Sequence, residues 1–273
     1  MSESLPLSGR SAIVTGASSG IGQSIARSFG HAGAHVVLAG RTAAAMDATR
    51  KDIEQAGGSA RVAVCDVRDP EQVRALVDTT TEESGRLDIM VNNAGISYPA
   101  PISEGEPEHW RAMLETNILA LLVGSQAAVR AMRACAAEGH IVNISSIAAQ
   151  NPAPGVYGAT KHAVNAISAT LRTELEKDSI RVVNVMPGAI ATNFARNFEP
   201  ALVEGLVKAA GLDVEVRKGE RLPDEVFDAI SGSMRNLLGS PDDVANAVLY
   251  AVTQPIHVNI ADIVVRPPQR LEI

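Results

Sequence analysis

The run Tyr157-Gly158-Ala159-Thr160-Lys161 sets a phenol and an ammonium four residues apart. On a helix that spacing puts both on one face, a turn apart. A tyrosine hydroxyl titrates near ~10 when unperturbed, too high for an efficient proton shuttle at neutral pH. A fixed positive charge close by favours the phenolate and lowers that value. The pair could therefore pass a proton to or from a reacting oxygen. Taken alone, the same spacing also fits an ordinary helix face with a solvated lysine, and the surrounding sequence must decide.

A second chemical feature lies near the N-terminus. Thr15-Gly16-Ala17-Ser18-Ser19-Gly20-Ile21-Gly22 follows a short apolar run and opens an amphipathic stretch. Gly16 permits a tight turn, Gly20 lets the backbone approach a pyrophosphate, and Gly22 allows close packing of helix on strand. The free N–H groups of Ser18, Ser19, Gly20 and Ile21 would face the phosphates at the positive end of the helix. The spacing is GxxxGxG rather than GxGxxG, so the position at a strand–helix junction carries more weight than the pattern. About twenty residues on, a carboxylate would bind the ribose of NAD. Here the run Val36-Val37-Leu38-Ala39 ends in Gly40-Arg41. A guanidinium there can bind a 2′-phosphate that a carboxylate would repel. NADP(H) is thus the expected cofactor, with NAD(H) disfavoured; a surface arginine capping a strand is the plainer reading of Arg41 by itself.

The elements that must position these groups alternate along the whole chain. Strand-like runs are Ser11–Thr15, His35–Ala39, Arg61–Cys65, Asp88–Asn92, His140–Ser145, Arg181–Met186 and Ile260–Val265. Between them lie helical patterns at Ile21–Ala32, Ala43–Gln55, Pro70–Glu83, Pro107–Ala137, Val156–Lys177 and Pro241–Thr253. That alternation predicts an α/β fold: a doubly wound (Rossmann) parallel sheet of about seven strands with right-handed crossovers, in a single domain over residues 1–273. Ser240-Pro241-Asp242-Asp243 reads as a helix start, with a cap, a first-turn proline and acids at the positive end. From Ala191 to Gly239 the strand signal disappears, leaving two helical patterns (Pro200–Ala210 and Pro223–Leu238) joined by the charged stretch Asp213–Arg221. This insertion is either a surface excursion or a helical lid over a substrate.

Bulk properties remove several function classes. The 273 residues are 46% hydrophobic but only 3% aromatic, so the core must be built from Ala, Val, Leu and Ile, a mix suited to strands covered on both faces. The net charge of −7, with no basic block, argues against nucleic acid or an anionic membrane as partner. Cys65 and Cys135 have neither CxxC nor Cys/His spacing, so no metal site or disulfide framework is expected. The N-terminal decapeptide lacks the pattern of a signal peptide, and the longest apolar stretch, Ile118 to Val123, is too short to span a bilayer. A cytoplasmic location is the default expectation.

Five motifs in order then resemble the short-chain dehydrogenases/reductases, from about Gly9 to Pro267. Thr15–Gly22 is similar to that family's TGxxxGIG, Asn92-Asn93-Ala94-Gly95 to its NNAG, and Tyr157–Lys161 to its YxxxK. Ile144-Ser145-Ser146 precedes the tyrosine, and Pro187-Gly188 follows the sixth strand. The resemblance implies Tyr157 as general acid or base, with Lys161 lowering its pKa and bonding the nicotinamide ribose. It implies Ser146 on the substrate oxygen, favoured over Ser145, and Asn117 anchoring a water in a proton relay. It further implies Asp66 and Val67 at the adenine, Asn93, Ala94 and Gly95 along the adenosine, and Pro187, Gly188, Ile190 and Thr192 around the carboxamide. The ending Val258–Pro267 is similar to NADP-dependent members that act on small aldehydes, ketones or hydroxy acids. A dimer or tetramer assembled through the long helices is implied in the same way.

Only ten residues separate Ser146 from Tyr157, about two fewer than the family pattern, so the loop Ala148–Gly155 is expected to be tightened. The expected substrate wall (Ile96, Ser97, Tyr98, Ala148, Gln150, Phe194 and Phe198) is mostly apolar, with no cation placed to clamp a carboxylate. The leading expectation is an NADP-dependent oxidoreductase for a secondary alcohol/ketone or related carbonyl compound. Epimerisation, dehydration or imine reduction on the same fold is the enzymatic alternative, and a non-catalytic cofactor-binding scaffold the other.

Overall fold

The computed structural model describes residues 4–150 and 155–269; residues 151–154 of the expected tightened loop lie outside it. Seven strands form one parallel sheet: β1 (Ser11–Thr15), β2 (His35–Gly40), β3 (Ser59–Val64), β4 (Ile89–Asn92), β5 (Gly139–Ile144), β6 (Ile180–Pro187) and β7 (Asp262–Val265). Their spatial order is β3-β2-β1-β4-β5-β6-β7. The doubly wound sheet expected from the alternation is what forms, and every expected strand is present within two residues of its expected ends.

Residues alternating along each strand feed two different cores. Ala12, Val14, Val36, Leu38, Ile89, Val91, Val142 and Val185 face one side, packing against α1 (Gly20–His31), α2 (Ala43–Gln55) and α9 (Pro241–Val252). Ile13, Val37, Met90, Ile141 and Val182 face the other, under α3 (Pro70–Ser84), α5 (Ala120–Ala134) and the end of α6 (Val156–Glu174). A side-chain period of two that is apolar on both faces requires helices on both sides. Burying one such Val, Leu or Ile contributes roughly 1.5–3 kcal/mol. The α9 start forms a complete capping box, Ser240 with Asp243, as its sequence predicts.

The long helix expected at Pro107–Ala137 differs from expectation. It runs as α4 (Pro107–Leu114), a π turn at Glu115–Leu119, then α5. At 28 residues it is apolar and long enough to cross a bilayer, yet 56% of its apolar window is buried within the domain. Its hydropathy is used for packing on the sheet. The insertion holds α7 (Pro200–Ala209) and α8 (Asp224–Ser233), the latter ending earlier than its pattern suggests. A parallel bridge between Ile190 and Gly239 closes its neck. Val203, Val207, Val226, Ile230 and Leu238 form a small apolar cluster of its own with Ala191.

The strand order reverses between β1 and β4, and ligands of such sheets bind in the crevice outside the strand ends at that point. Every motif with chemistry lies there or beside it.

Candidate active site

At the crevice the two glycine-containing motifs are stitched together. Thr15 Oγ1 donates to Val91 O (3.0 Å) and accepts from the main-chain N–H groups of Asn93 (3.0 Å) and Ala94 (3.2 Å). Asn93 Nδ2 donates to Thr15 O at 2.8 Å. Gly16 and Gly20 hold φ of +67° and +55°, where a side chain would be strained. A Cβ on Gly22 would lie 2.4 Å from Asn93 Nδ2 and 2.5 Å from Gly16 O, so only glycine lets α1 start this close to the turn. The loop of Ser18, Ser19 and Ile21 thus presents backbone N–H groups at a helix start, a cradle that fits dinucleotide phosphates. Arg41 sits exposed just past the end of β2.

The proton-handling groups gather beyond β5. Ser146 follows the strand in extended backbone, its Oγ accepting from Ala148 N at 3.1 Å. Ser145 is buried and committed to α6, donating to Asn165 Oδ1 (2.6 Å) and Lys161 O (3.2 Å). That leaves Ser146, as expected, for the cleft. Gly155, with φ of +79° and Ala100 O only 2.4 Å from any added Cβ, lets α6 begin here. Tyr157 lies in the first turn of α6, near enough to Ser146 for that hydroxyl to favour its ionised form, and Lys161 Nζ is 5.7 Å from the tyrosine ring centre.

Burial governs the electrostatics of both groups. Burial of the hydroxyl pushes Tyr157 up to about 12, opposed only by the Ser146 hydrogen bond. Lys161 is itself buried, which pulls it down to about 8. Its ammonium donates to Ile144 O at 2.8 Å. Burial penalises the charged form of each group, the phenolate and the ammonium alike.

Asn117 occupies the centre of the π turn, a feature frequent at functional sites. Its buried amide accepts from Ile96 N (2.9 Å) and donates to Ile96 O (3.0 Å) and Thr160 Oγ1 (3.1 Å). The side chain therefore fixes the chain after β4 against α6, beside Lys161, and is fully engaged with protein groups. A row of polar side chains that sequence reading missed extends this framework. Asn92, Asn143, Asn184 and Asp262 are successive partners across β4 to β7. Asn92 reaches Ser125 on α5, Asn143 reaches Ser168 on α6, and Asn184 reaches Asn165 on α6. The available signal was an asparagine interrupting three apolar strands in turn.

Other expected residues are placed less uniformly. Val67 lines a small cavity with Thr15 and Ala94. The Asp66 carboxylate is gripped through both oxygens by Arg68, at 2.6 to 3.2 Å. Pro187 ends β6, while Gly188 abuts Arg266 and bonds Val265, packing on β7. Ile190 forms the neck of the insertion, and Thr192 lies over Gly20, 2.9 Å from where a Cβ would be. Among the wall residues, Phe194 packs 5.4 Å from the Tyr157 ring and Phe198 6.4 Å from Phe194. Tyr98 instead stacks on His109 at 4.1 Å. Ser97 is tied to the insertion through Asn197 at 3.1 Å, and Gln150 is exposed.

A profile of the short-chain dehydrogenases matches residues 10–202. The chain belongs to that family. An uncharacterized oxidoreductase of Staphylococcus saprophyticus is 34% identical over 94% of this chain and 96% of its own length. The glycine betaine reductase ATRR of Emericella nidulans is 33% identical over 96% of this chain, which spans only 19% of that longer protein. Among solved structures, a metagenomic short-chain oxidoreductase in complex with NADP aligns with a TM-score of 0.75 at 31% identity, covering 96% of this chain and 99% of that one. A 7α-hydroxysteroid dehydrogenase complexed with NADH and 7-oxo glycochenodeoxycholic acid aligns with a TM-score of 0.78 at 29% identity, covering 97% and 96%. The family, its Rossmann-like single domain and its oxidoreductase class therefore hold for this chain.

Proposed function

We propose that this short-chain dehydrogenase transfers a hydride between NADP(H) and a secondary alcohol or ketone, with Tyr157 as the general acid or base. The observation that carries the reading is the buried Lys161 ammonium 5.7 Å from the Tyr157 ring centre, on the α6 turn that faces Ser146 at the end of β5. When bound, the nicotinamide would supply or accept the hydride. The backbone of Gly16, Ser18, Ser19, Gly20, Ile21 and Gly22 would hold the pyrophosphate, and Arg41 the 2′-phosphate. Asp66 and Val67 would hold the adenine, and Asn93, Ala94 and Gly95 the adenosine side. Pro187, Gly188, Ile190 and Thr192 would border the carboxamide.

In ketone reduction the Ser146 hydroxyl donates to the substrate oxygen and stabilises its growing negative charge. Tyr157, kept protonated well above neutral pH by burial, gives that oxygen its proton. Lys161 would bond the ribose and return a proton to the phenol through water, with Asn117 holding the chain after β4 in place beside it. In alcohol oxidation Tyr157 takes the proton instead. The Phe194 ring beside Tyr157, backed by Phe198, makes an apolar approach for the substrate. Three leucines exposed along the π turn and its flanks, Leu114, Leu119 and Leu122, support a dimer or tetramer built on this helix. Sedimentation as a monomer at micromolar concentration would remove that part.

A screen of NADPH oxidation over ketones, aldehydes and oxo acids tests the substrate class. Turnover is expected with apolar carbonyl compounds; a clear preference for a charged oxo acid contradicts it.

A further inference from the structure

The insertion touches the phosphate loop through Arg221, and the charges of Arg221 and Arg41 both act on its other arginine, Arg196, whose Nη1 donates to Asn193 O at 2.9 Å. Arg221, at the end of the charged stretch between α7 and α8, donates from Nη2 to Ser18 O at 2.8 Å, although the two residues are 203 apart in sequence. Its place is fixed by its neighbours. The buried Asn193 side chain accepts from Leu222 N (2.8 Å) and donates to Leu222 O (2.9 Å). Gly219 N donates to Arg196 O at 2.7 Å. The chain segment carrying Arg221 is thereby laced to the 3-10 turn Asn193–Asn197, which carries Arg196. Thr192, at the start of that turn, packs over Gly20.

Arg196 is half-buried, and burial, then the like charges of Arg221 and Arg41, hold it below the ordinary arginine range. Among the described residues, none of the three is within ion-pair distance of a carboxylate. The acid that feels Arg41, Asp66, is taken by Arg68. Like charges gathered this way, one of them half-buried, are unfavourable until an anion joins them. A guanidinium has five N–H donors, so Arg221 retains donors beyond the one on Ser18.

We propose that Arg196 and Arg221, both carried by the insertion, join Arg41 as a clamp for phosphate oxygens of the dinucleotide, so that the insertion closes on cofactor as well as on substrate. The inference rests on the NADP(H) reading above. It assigns the insertion a second task besides walling the substrate. The phosphate concerned is the 2′-phosphate or the 5′-diphosphate.

Calorimetric titration of the whole protein with adenosine 2′,5′-bisphosphate, ADP and adenosine tests the clamp without any turnover. Arg221→Ala is expected to weaken one or both phosphate-bearing fragments about ten-fold, the scale of one charged hydrogen bond. Adenosine binding and the nucleotide-free melting temperature should stay unchanged. A loss confined to the bisphosphate places the clamp at the 2′-phosphate, and a loss shared with ADP places it at the 5′-diphosphate. Arg221→Lys, which keeps the charge without the fork, should lose less than Arg221→Ala. Hydrogen exchange at 219–222 in the unaltered protein should slow with bisphosphate and not with adenosine. Unchanged affinity for both fragments in Arg221→Ala overturns the clamp. If Arg41→Ala still loses the preference for bisphosphate, the NADP(H) reading survives that result. Failure of the unaltered protein to bind either fragment overturns both.

Discussion

The two ends of the cleft are built on opposite principles. Around Tyr157 and Lys161 the supporting groups Ser145, Asn117, Thr160 and Lys161 are buried, Tyr157 and Ser146 are partly exposed to the cleft, and desolvation dominates the ionisation of Tyr157 and Lys161. Around Ser18 and Arg41 the groups are open to solvent, and the charges are guanidiniums that burial scarcely reaches, Arg196 excepted. A proton must be delivered to one atom at a set distance, which calls for a rigid, dry framework. A phosphate dianion is recognised by charge and forked donors, which work at a surface. The difference explains why asparagines and serines support the first end and arginines the second.

Altering the dry end should produce the larger effects. Ser146→Ala removes the proposed donor to the substrate oxygen. A drop in kcat of about 10²-fold or more is expected with little change in cofactor affinity; a loss expressed only in KM would separate Ser146 from the chemistry. At the open end, Arg41→Ala should raise KM for NADPH about ten-fold and leave NADH nearly unaffected. Equal effects on the two cofactors would refute its contact with a 2′-phosphate.

A smaller effect isolates burial from function. His140, near the start of β5, lies at the opposite end of the strand that delivers Ile144 O to Lys161. Burial, then the charges of Arg10 and Arg181, bring it down to about 4 from an ordinary value of 6.5. The unfolded chain then binds more protons than the folded one between those values, so stability present above pH ~6.5 is lost as pH falls towards ~4. The loss is on the order of 3 kcal/mol. Denaturant unfolding of His140→Gln should show a shallower acid slope than the unaltered chain; an identical slope would mean that other groups set it.

Much of the frame was legible because its causes are local. Period-two apolar runs such as Ala12–Val14 and Val36–Leu38 read as buried strands, and Ser240–Asp243 carried its own cap. The π turn was not, since Glu115–Leu119 is ordinary helical sequence and Asn117 is engaged by Ile96 and Thr160, both distant along the chain. Tyr157 and Ser146 were named from motif order; Ser146 follows β5 and Tyr157 opens α6. Spacing shows that a charge neighbours the tyrosine but not how deeply the pair sits, so the upward pull of burial was not legible. Arg221 could not be found from sequence at all: its partner Ser18 lies at the far end of the chain.

The central claim is that Tyr157 handles the proton. Mixing enzyme, NADPH and an accepted ketone in a single-turnover stopped-flow measurement, with the unaltered protein and Tyr157→Phe side by side, tests it most directly. The substitution should slow NADPH oxidation by about 10²- to 10⁴-fold, with NADPH affinity and melting temperature retained. Oxidation at the unaltered rate in Tyr157→Phe would contradict the account.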